Sequence, residues 1–320
     1  MTLPKFPQFK DVDLSCQEVI NDFLLRYPLE ASEYTFTNIF AFRFTYNFKI
    51  SIIKNNLMIL KDMAPVSMFC PIGNSHISDV LHEAVNYLIN YKPETDYKPY
   101  MERMPESLVN VYLKNNRNFT IEEDCNQFDY VYDVKELIEL KGGKFHDKRN
   151  QVNKFRSRYR YEYITLTPDL IEECLAFEDY WCEVRECEKH PGLVKERCAI
   201  LQMLNNFKYL NIRGGAIRME KKIAAITLGE KILPDTFVIH VEKANPDIPG
   251  LYQIINQEFL MHEAGGCRFV NREQDLGIQG LRNAKMSYNP TRFVKKYKVY
   301  EKPLPSLSCP SLRGRGRGGG

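Results

Sequence analysis

The chain has 320 residues, 44% hydrophobic and 27% charged, with 19 Tyr and 19 Phe; this composition excludes a disordered protein and gives length enough for two packed units. Its 44 Lys/Arg are nearly balanced by 41 Asp/Glu, so a net charge of +3 excludes nucleic-acid binding through bulk charge. No run approaches the roughly 18 apolar residues of a bilayer span and the start lacks an apolar signal stretch, so a cytoplasmic location is expected.

In chain order, Ser15-Cys16-Gln17-Glu18 has the capping-box pattern ahead of Val19, Ile20, Phe23 and Leu24 at helical spacing. Residues 49–53 and 57–61 flank Asn55-Asn56 as a hairpin, residues 77–89 read as an amphipathic helix, and Pro105 is expected at the first position of another helix. A helix over 144–159 and another beginning at Thr167-Pro168-Asp169 follow. From about residue 210 the order repeats: strands near 215–219, 223–228 and 236–241, a helix near 252–263, a strand near 267–271, and a helix over 278–288. The expected organisation is therefore an N-terminal unit over 1–140, bridging helices over 141–210, a C-terminal unit over 211–302, and an Arg/Gly-rich tail over 303–320 that is expected to be disordered.

Nine cysteines without an export signal are expected to be reduced thiols. The densest set, Cys174, Cys182, Cys187 and Cys198 near His190, contains no CxxC pair, and no metal is expected.

Three constellations carry chemistry. Residues 144–160 hold seven Lys/Arg against one Asp; Phe145, Val152, Phe155 and Tyr159 form a docking stripe, which leaves Lys148, Arg149 and Arg156 able to face phosphate. A solvated face neutralised by the acidic stretch 172–188 is the alternative. On the strand Phe237-Val-Ile-His-Val-Glu-Lys, His240 and Glu242 are two apart and are expected on one sheet face, where either can take a proton from an attacking amine or hydroxyl. The run Asn271-Arg272-Glu273-Gln274-Asp275-Leu276-Gly277 places donors, a cation and two carboxylates at a strand end, and Arg282 and Lys285, three apart on the next helix, are expected to converge on one anionic group. A structural salt-bridge cluster is the alternative reading of this run. Before the Arg/Gly-rich tail, GxSxG, Walker, GxGxxG and HExxH motifs are absent.

The blocks Gly143-Lys-Phe-His-Asp-Lys-Arg-Asn150, Glu242-Lys-Ala with Gly250-Leu-Tyr-Gln-Ile-Ile-Asn256, and Asn271 through Lys285 resemble the uncharacterised bacterial family related to the C-terminal domain of phosphatidylglycerol lysyltransferase. The resemblance covers nearly all of residues 5–302. It implies an α/β (α+β) chain of two tandem GNAT-like acyltransferase folds with a bridging helical segment, as in the Fem transferases, which take an aminoacyl group from tRNA. The CoA-binding loop of GNAT enzymes has no counterpart in Asn245-Pro-Asp-Ile-Pro-Gly-Leu-Tyr252. Aminoacyl-tRNA is therefore the expected co-substrate, with no tightly bound cofactor. The acceptor is an amine or hydroxyl of a lipid headgroup, peptide or small molecule, and peripheral contact with anionic lipid is allowed for. In the implied assignment, Glu242 or His240 assists deprotonation and Arg272 or Lys285 stabilises the oxyanion. Lys148, Arg149, Asn150, Tyr252, Asn256, Asn271, Glu273, Asp275 and Arg282 bind substrate or donor. The rival readings are a CoA-dependent N-acetyltransferase using acyl-CoA and a non-catalytic RNA-binding protein using the basic helix and the tail.

Overall fold

The computed structural model describes residues 2–91 and 98–302, so the expectation for the tail over 303–320 lies outside the described residues. The strands in chain order are β1 (Lys10–Asp11), β2 (Phe48–Ile53), β3 (Asn56–Lys61), β4 (Ser67–Phe69), β5 (Met101–Pro105), β6 (Phe119–Glu123), β7 (Asp129–Asp133), β8 (Glu162–Thr165), β9 (Arg213–Met219), β10 (Lys222–Leu233), β11 (Thr236–Ala244), β12 (Phe269–Asn271), β13 (Arg292–Val294) and β14 (Lys296–Glu301). They form two seven-stranded sheets, ordered β1-β2-β3-β4-β5-β14-β6 and β13-β7-β12-β11-β10-β9-β8.

Each sheet contains one parallel pair joined by a helix. In the first it is β4 and β5, connected through the helix Ile77–Tyr91; in the second it is β11 and β12, connected through the helix Leu251–Glu263. This shared crossover is the repeat that the element order foreshadows, and the fold class is the tandem GNAT-like one. The sheets also exchange strands. β7 comes from the first half of the chain but lies in the second sheet, and β14 returns from the end of the described chain to sit between β5 and β6.

Two apolar clusters organise the packing. The first joins the first sheet to the helices Ile171–Val184 and Pro191–Asn205 and reaches Leu228 and Val241 of the second sheet. The second lies between the other face of the second sheet and the helices Val134–Glu139, His146–Arg158 and Leu251–Glu263. Phe145, Val152 and Phe155 are buried there, so the docking stripe of the basic helix is real. Gly250, at φ +91, lets the start of Leu251–Glu263 approach this helix: an added Cβ would lie 2.9 Å from the Gln151 carbonyl oxygen.

Several local expectations need correction. Asp13, not Ser15, caps the first helical turn, because its carboxylate accepts from the Ser15 amide at 2.8 Å. The hairpin turns on Lys54 and Asn55, both with positive φ, while Asn56 pairs within β3 and its side-chain amide donates to the carbonyls of Ile53, Lys54 and Ser75. Pro105 ends β5, and the helical turn starts at Glu106. Thr167 precedes the turn Pro168–Leu170 but makes no side-chain cap. Cys182 and Cys187 are joined as a disulfide with Cα atoms 5.0 Å apart, against the expectation of reduced thiols throughout. Among the described residues, no group of three or more His, Cys, Asp or Glu is placed to hold a metal.

Candidate functional site

The site forms where β11 and β12 run side by side and where the helix between them returns. Glu242 near the end of β11 is its anchor. One carboxylate oxygen accepts from Nδ2 of Asn256 at 2.8 Å, and the other accepts from Nη2 of Arg272, just beyond β12, at 2.7 Å. The 14-residue spacing of Glu242 and Asn256 thus spans the strand-to-helix turn. Burial opposes the charge on Arg272, but Glu242 outweighs it and holds the guanidinium pKa above its ordinary value. Of the other two guanidinium nitrogens, Nη1 is buried without a hydrogen-bond partner among the described residues.

Aromatic rings enclose this pair. The Arg272 guanidinium lies 4.7 Å from the ring centre of Tyr288 and 5.6 Å from that of Tyr132, and the Lys148 ammonium lies 4.2 Å from the Tyr288 centre. Burial pushes the Tyr288 phenol up to about 12, so it is neutral and can donate. Lys285 donates to the Arg272 carbonyl, while Tyr132 donates to the Lys285 carbonyl at 2.9 Å. Burial and the nearby Arg272 charge push the Lys285 ammonium down to about 8 and also lower Lys148.

His240 and Glu242 do not share a face. The register of β11 against β10 slips between Leu228 and Gly229, leaving His240 as the extra residue of a bulge. Phe237 stacks edge-on against Phe259 of the helix Leu251–Glu263, whereas Val241 belongs to the other cluster and Lys243 lies over Trp181. Alternation flips at the bulge, so Glu242 faces that helix and His240 faces away. His240 is 1% exposed, with Nδ1 2.8 Å from Glu273 and Nε2 2.9 Å from Glu230. Burial alone would lower its pKa, but the two carboxylates outweigh it and push it up to about 10. The imidazolium has no free nitrogen and cannot collect a proton near neutrality.

This makes a pH prediction. An NMR titration should show His240 protonated until about pH 10 rather than 6.5, and a transition near 6.5 would refute the double pairing. Because the folded pKa is raised, its stabilising contribution is complete below about pH 6.5 and is lost as pH rises through about 10. Lys285 acts in the opposite sense, since its folded pKa is depressed: stability tied to it grows as pH rises from about 8 to 10.5.

The remaining expected site residues divide cleanly. Asn271 is fully buried and ties the strand end to the Glu30 carbonyl and to Asp129. Asp275 is also buried; it accepts from Tyr130, Gly277 and Arg282, which consumes Arg282. Arg282 and Lys285 therefore do not converge on one anion: the first is clamped on Asp275, and the second faces Arg272. Arg149 donates to the carbonyls of Leu140 and Gly142, ending a preceding helix, and Asn150 pairs with His146 at the surface. The Tyr252 hydroxyl accepts from the Trp181 indole at 3.3 Å. Arg156 pairs with Glu258 rather than with the acidic stretch 172–188. Tyr132 escaped the sequence reading, although Tyr130-Val-Tyr132-Asp has the period-two pattern that puts both rings on one face.

A groove of about 540 Å³ lies away from this cluster, lined by Phe40, Arg43, Phe44 and Asn206 among others. Size favours it, but chemistry does not, because Arg43 is committed to the Phe40 carbonyl and Gln202.

Comparison with known proteins bears on this site. A family profile described as phosphatidylglycerol lysyltransferase, C-terminal, matches residues 26–300. A protein of unknown function from Bacteroides thetaiotaomicron is 35% identical, with 92% of this chain and 99% of that one covered and a TM-score of 0.83. The C-terminal domain of a putative lysylphosphatidylglycerol synthetase from Agrobacterium fabrum superposes with a TM-score of 0.62 at 13% identity, covering 90% of this chain and 92% of that one. The structure titled L-PGS from Bacillus licheniformis gives 0.60 at 13% identity, covering 96% of each chain. Both of these likenesses concern the fold. An uncharacterised protein of Mycoplasmoides gallisepticum is 21% identical over 53% of this chain, and the chain spans about half, 55%, of that curated relative.

Proposed function

The chain belongs to the family of the phosphatidylglycerol lysyltransferase C-terminal domain, and from that premise we propose that it transfers an acyl group, carried as an aminoacyl ester on tRNA, to an amine or hydroxyl acceptor. The observation that carries the reading is the buried Arg272 guanidinium, oriented by Glu242 and left with one unpartnered nitrogen. A preorganised, desolvated donor of this kind is what a tetrahedral oxyanion requires.

Each neighbour has a role in this reading. Lys285, held near 8, exchanges a proton with the acceptor nucleophile close to neutral pH. Glu242 positions Arg272 rather than acting as the base, since both of its oxygens already accept hydrogen bonds. Asn256 fixes that carboxylate, and Lys148 with the exposed Lys154 and Arg158 of its helix offers charge to donor phosphates. Arg272, Glu242, Lys285 and Lys148 are therefore the residues we assign to the transfer site.

The test is to incubate the full chain with tRNA charged with labelled amino acids and to follow label leaving the tRNA beyond the rate of hydrolysis, with labelled acetyl-CoA in parallel. Loss of label from charged tRNA that falls in the Lys285→Met variant supports the reading. Label moved only from acetyl-CoA defeats it, as does binding of charged and uncharged tRNA alike without turnover.

A further inference from the structure

The charge around Tyr288 is lopsided. Lys148, Arg272 and Lys285 bring three cations to one locus, and Glu242, the carboxylate in contact with Arg272, has each oxygen already accepting a hydrogen bond. Nearby acids are committed elsewhere: Glu273 is turned to His240, Asp129 to Lys296 and Ser32, and Asp147 lies exposed on the helix of Lys148. The rings beside them are neutral tyrosines. Arg272 is 12% exposed, and its buried Nη1 has no hydrogen-bond partner among the described residues. Burial first, and the Arg272 charge second, disfavour the ammonium forms of Lys148 and Lys285, so the cations also repel one another.

We propose that the substrate group seated at Lys148, Arg272 and Lys285 is a ground-state anion, a carboxylate or phosphate oxyanion, and not the ammonium of a basic aminoacyl group. A third ammonium here would meet three like charges, with Glu242 already paired to Arg272. An oxyanion accepts from Lys148 and relieves the mutual repulsion of the cations, leaving Arg272 Nη1 for the acyl oxygen. The transferred or accepting moiety is then acidic or phosphorylated. Only that last assignment rests on the site being the transfer site; the binding of an anion stands apart from turnover.

Anion binding also has a pH signature. Around Lys285 stand Arg272 and Glu273 beyond β12, Glu242 on β11, and Asp129 and Tyr130 on β7. An added anion favours the ammonium form of Lys285, so binding takes up protons near pH 8 and weakens as pH rises beyond it.

The experiment is calorimetric titration of the full chain with N-acetylglutamate, with inorganic phosphate and with lysinamide, at pH 7 and pH 9.5. We expect one of the two anions to bind, which distinguishes a carboxylate from a phosphate source, and we expect no heat from lysinamide. Lys148→Gln should weaken that binding roughly tenfold, the effect of one charge-assisted hydrogen bond, while its thermal midpoint stays near that of the parent. Binding of lysinamide, binding of neither anion, or indifference to Lys148→Gln and to pH overturns the proposal. Lysyl transfer from tRNA with inert anions would sink this inference and leave the proposed function standing. Anion binding without transfer from any charged tRNA would do the reverse.

Discussion

Lys296→Met should remove about 3–5 kcal/mol of stability, because it withdraws the cation from a fully buried ion cluster. Lys296 has no exposed surface; its ammonium lies 2.5 Å from Glu33 and 2.6 Å from Asp129. Without it, two buried carboxylates face each other with only Arg103, 3.0 Å from Glu33, to offset them. Burial and the Glu33 charge already raise the Asp129 pKa, so losing Lys296 should favour uptake of a proton on folding. Urea unfolding at pH 7 measures the loss, and moving to pH 5 should restore part of it. Combining Lys296→Met with Asp129→Asn should recover part of the stability, since Glu33 then keeps Arg103 as its counter-charge and no unpaired buried carboxylate remains. A loss below about 1 kcal/mol in the single variant would show that the cluster tolerates an unpaired carboxylate, contrary to this account.

Arg272→Ala should lower the rate of label transfer by about a hundred- to a thousandfold, the cost of deleting one preorganised oxyanion donor. The effect should lie mainly in kcat, because the lost interaction strengthens as negative charge develops on the acyl oxygen. Arg272→Lys should rescue little. A planar guanidinium can hold Glu242 through Nη2 and still present Nη1, whereas an ammonium drawn to Glu242 presents no second nitrogen. Single-turnover rates with charged tRNA decide the matter, and a fall smaller than threefold would remove Arg272 from the chemistry.

How much of this was legible in the sequence depended on the range of the interaction. The docking stripe of the basic helix and the crossover helix after β11 were readable, because both follow from local apolar spacing. The Asn271 to Lys285 segment was visible as an excess of polar groups, but the sequence did not divide it. Only the fold reveals that Asn271, Asp275 and Arg282 lock the backbone while Arg272 and Lys285 turn toward Glu242. His240 was misplaced for a definite reason: counting by two assumes an unbroken ladder, and a bulge adds one residue. Lys296 lies among several Lys and Tyr residues near the end of the described chain, where nothing local marks it as the one that is buried. Its partners, Glu33 and Asp129, are 263 and 167 residues away along the chain, beyond the reach of any periodic pattern.

The placement of β14 also governs how the protein can be made. When a ribosome has delivered β5 and β6, the gap between them has no occupant, and both strands present open edges until residues 296–301 emerge. The first unit cannot complete itself in the order of synthesis, the usual route for multi-domain chains. Its closure waits for nearly the whole second unit, and the same late strand carries Lys296 into the buried cluster. Assembly of the first sheet and burial of that charge therefore belong to one late step, whereas the partners of Asn271, Glu30 and Asp129, have already been synthesised when it emerges.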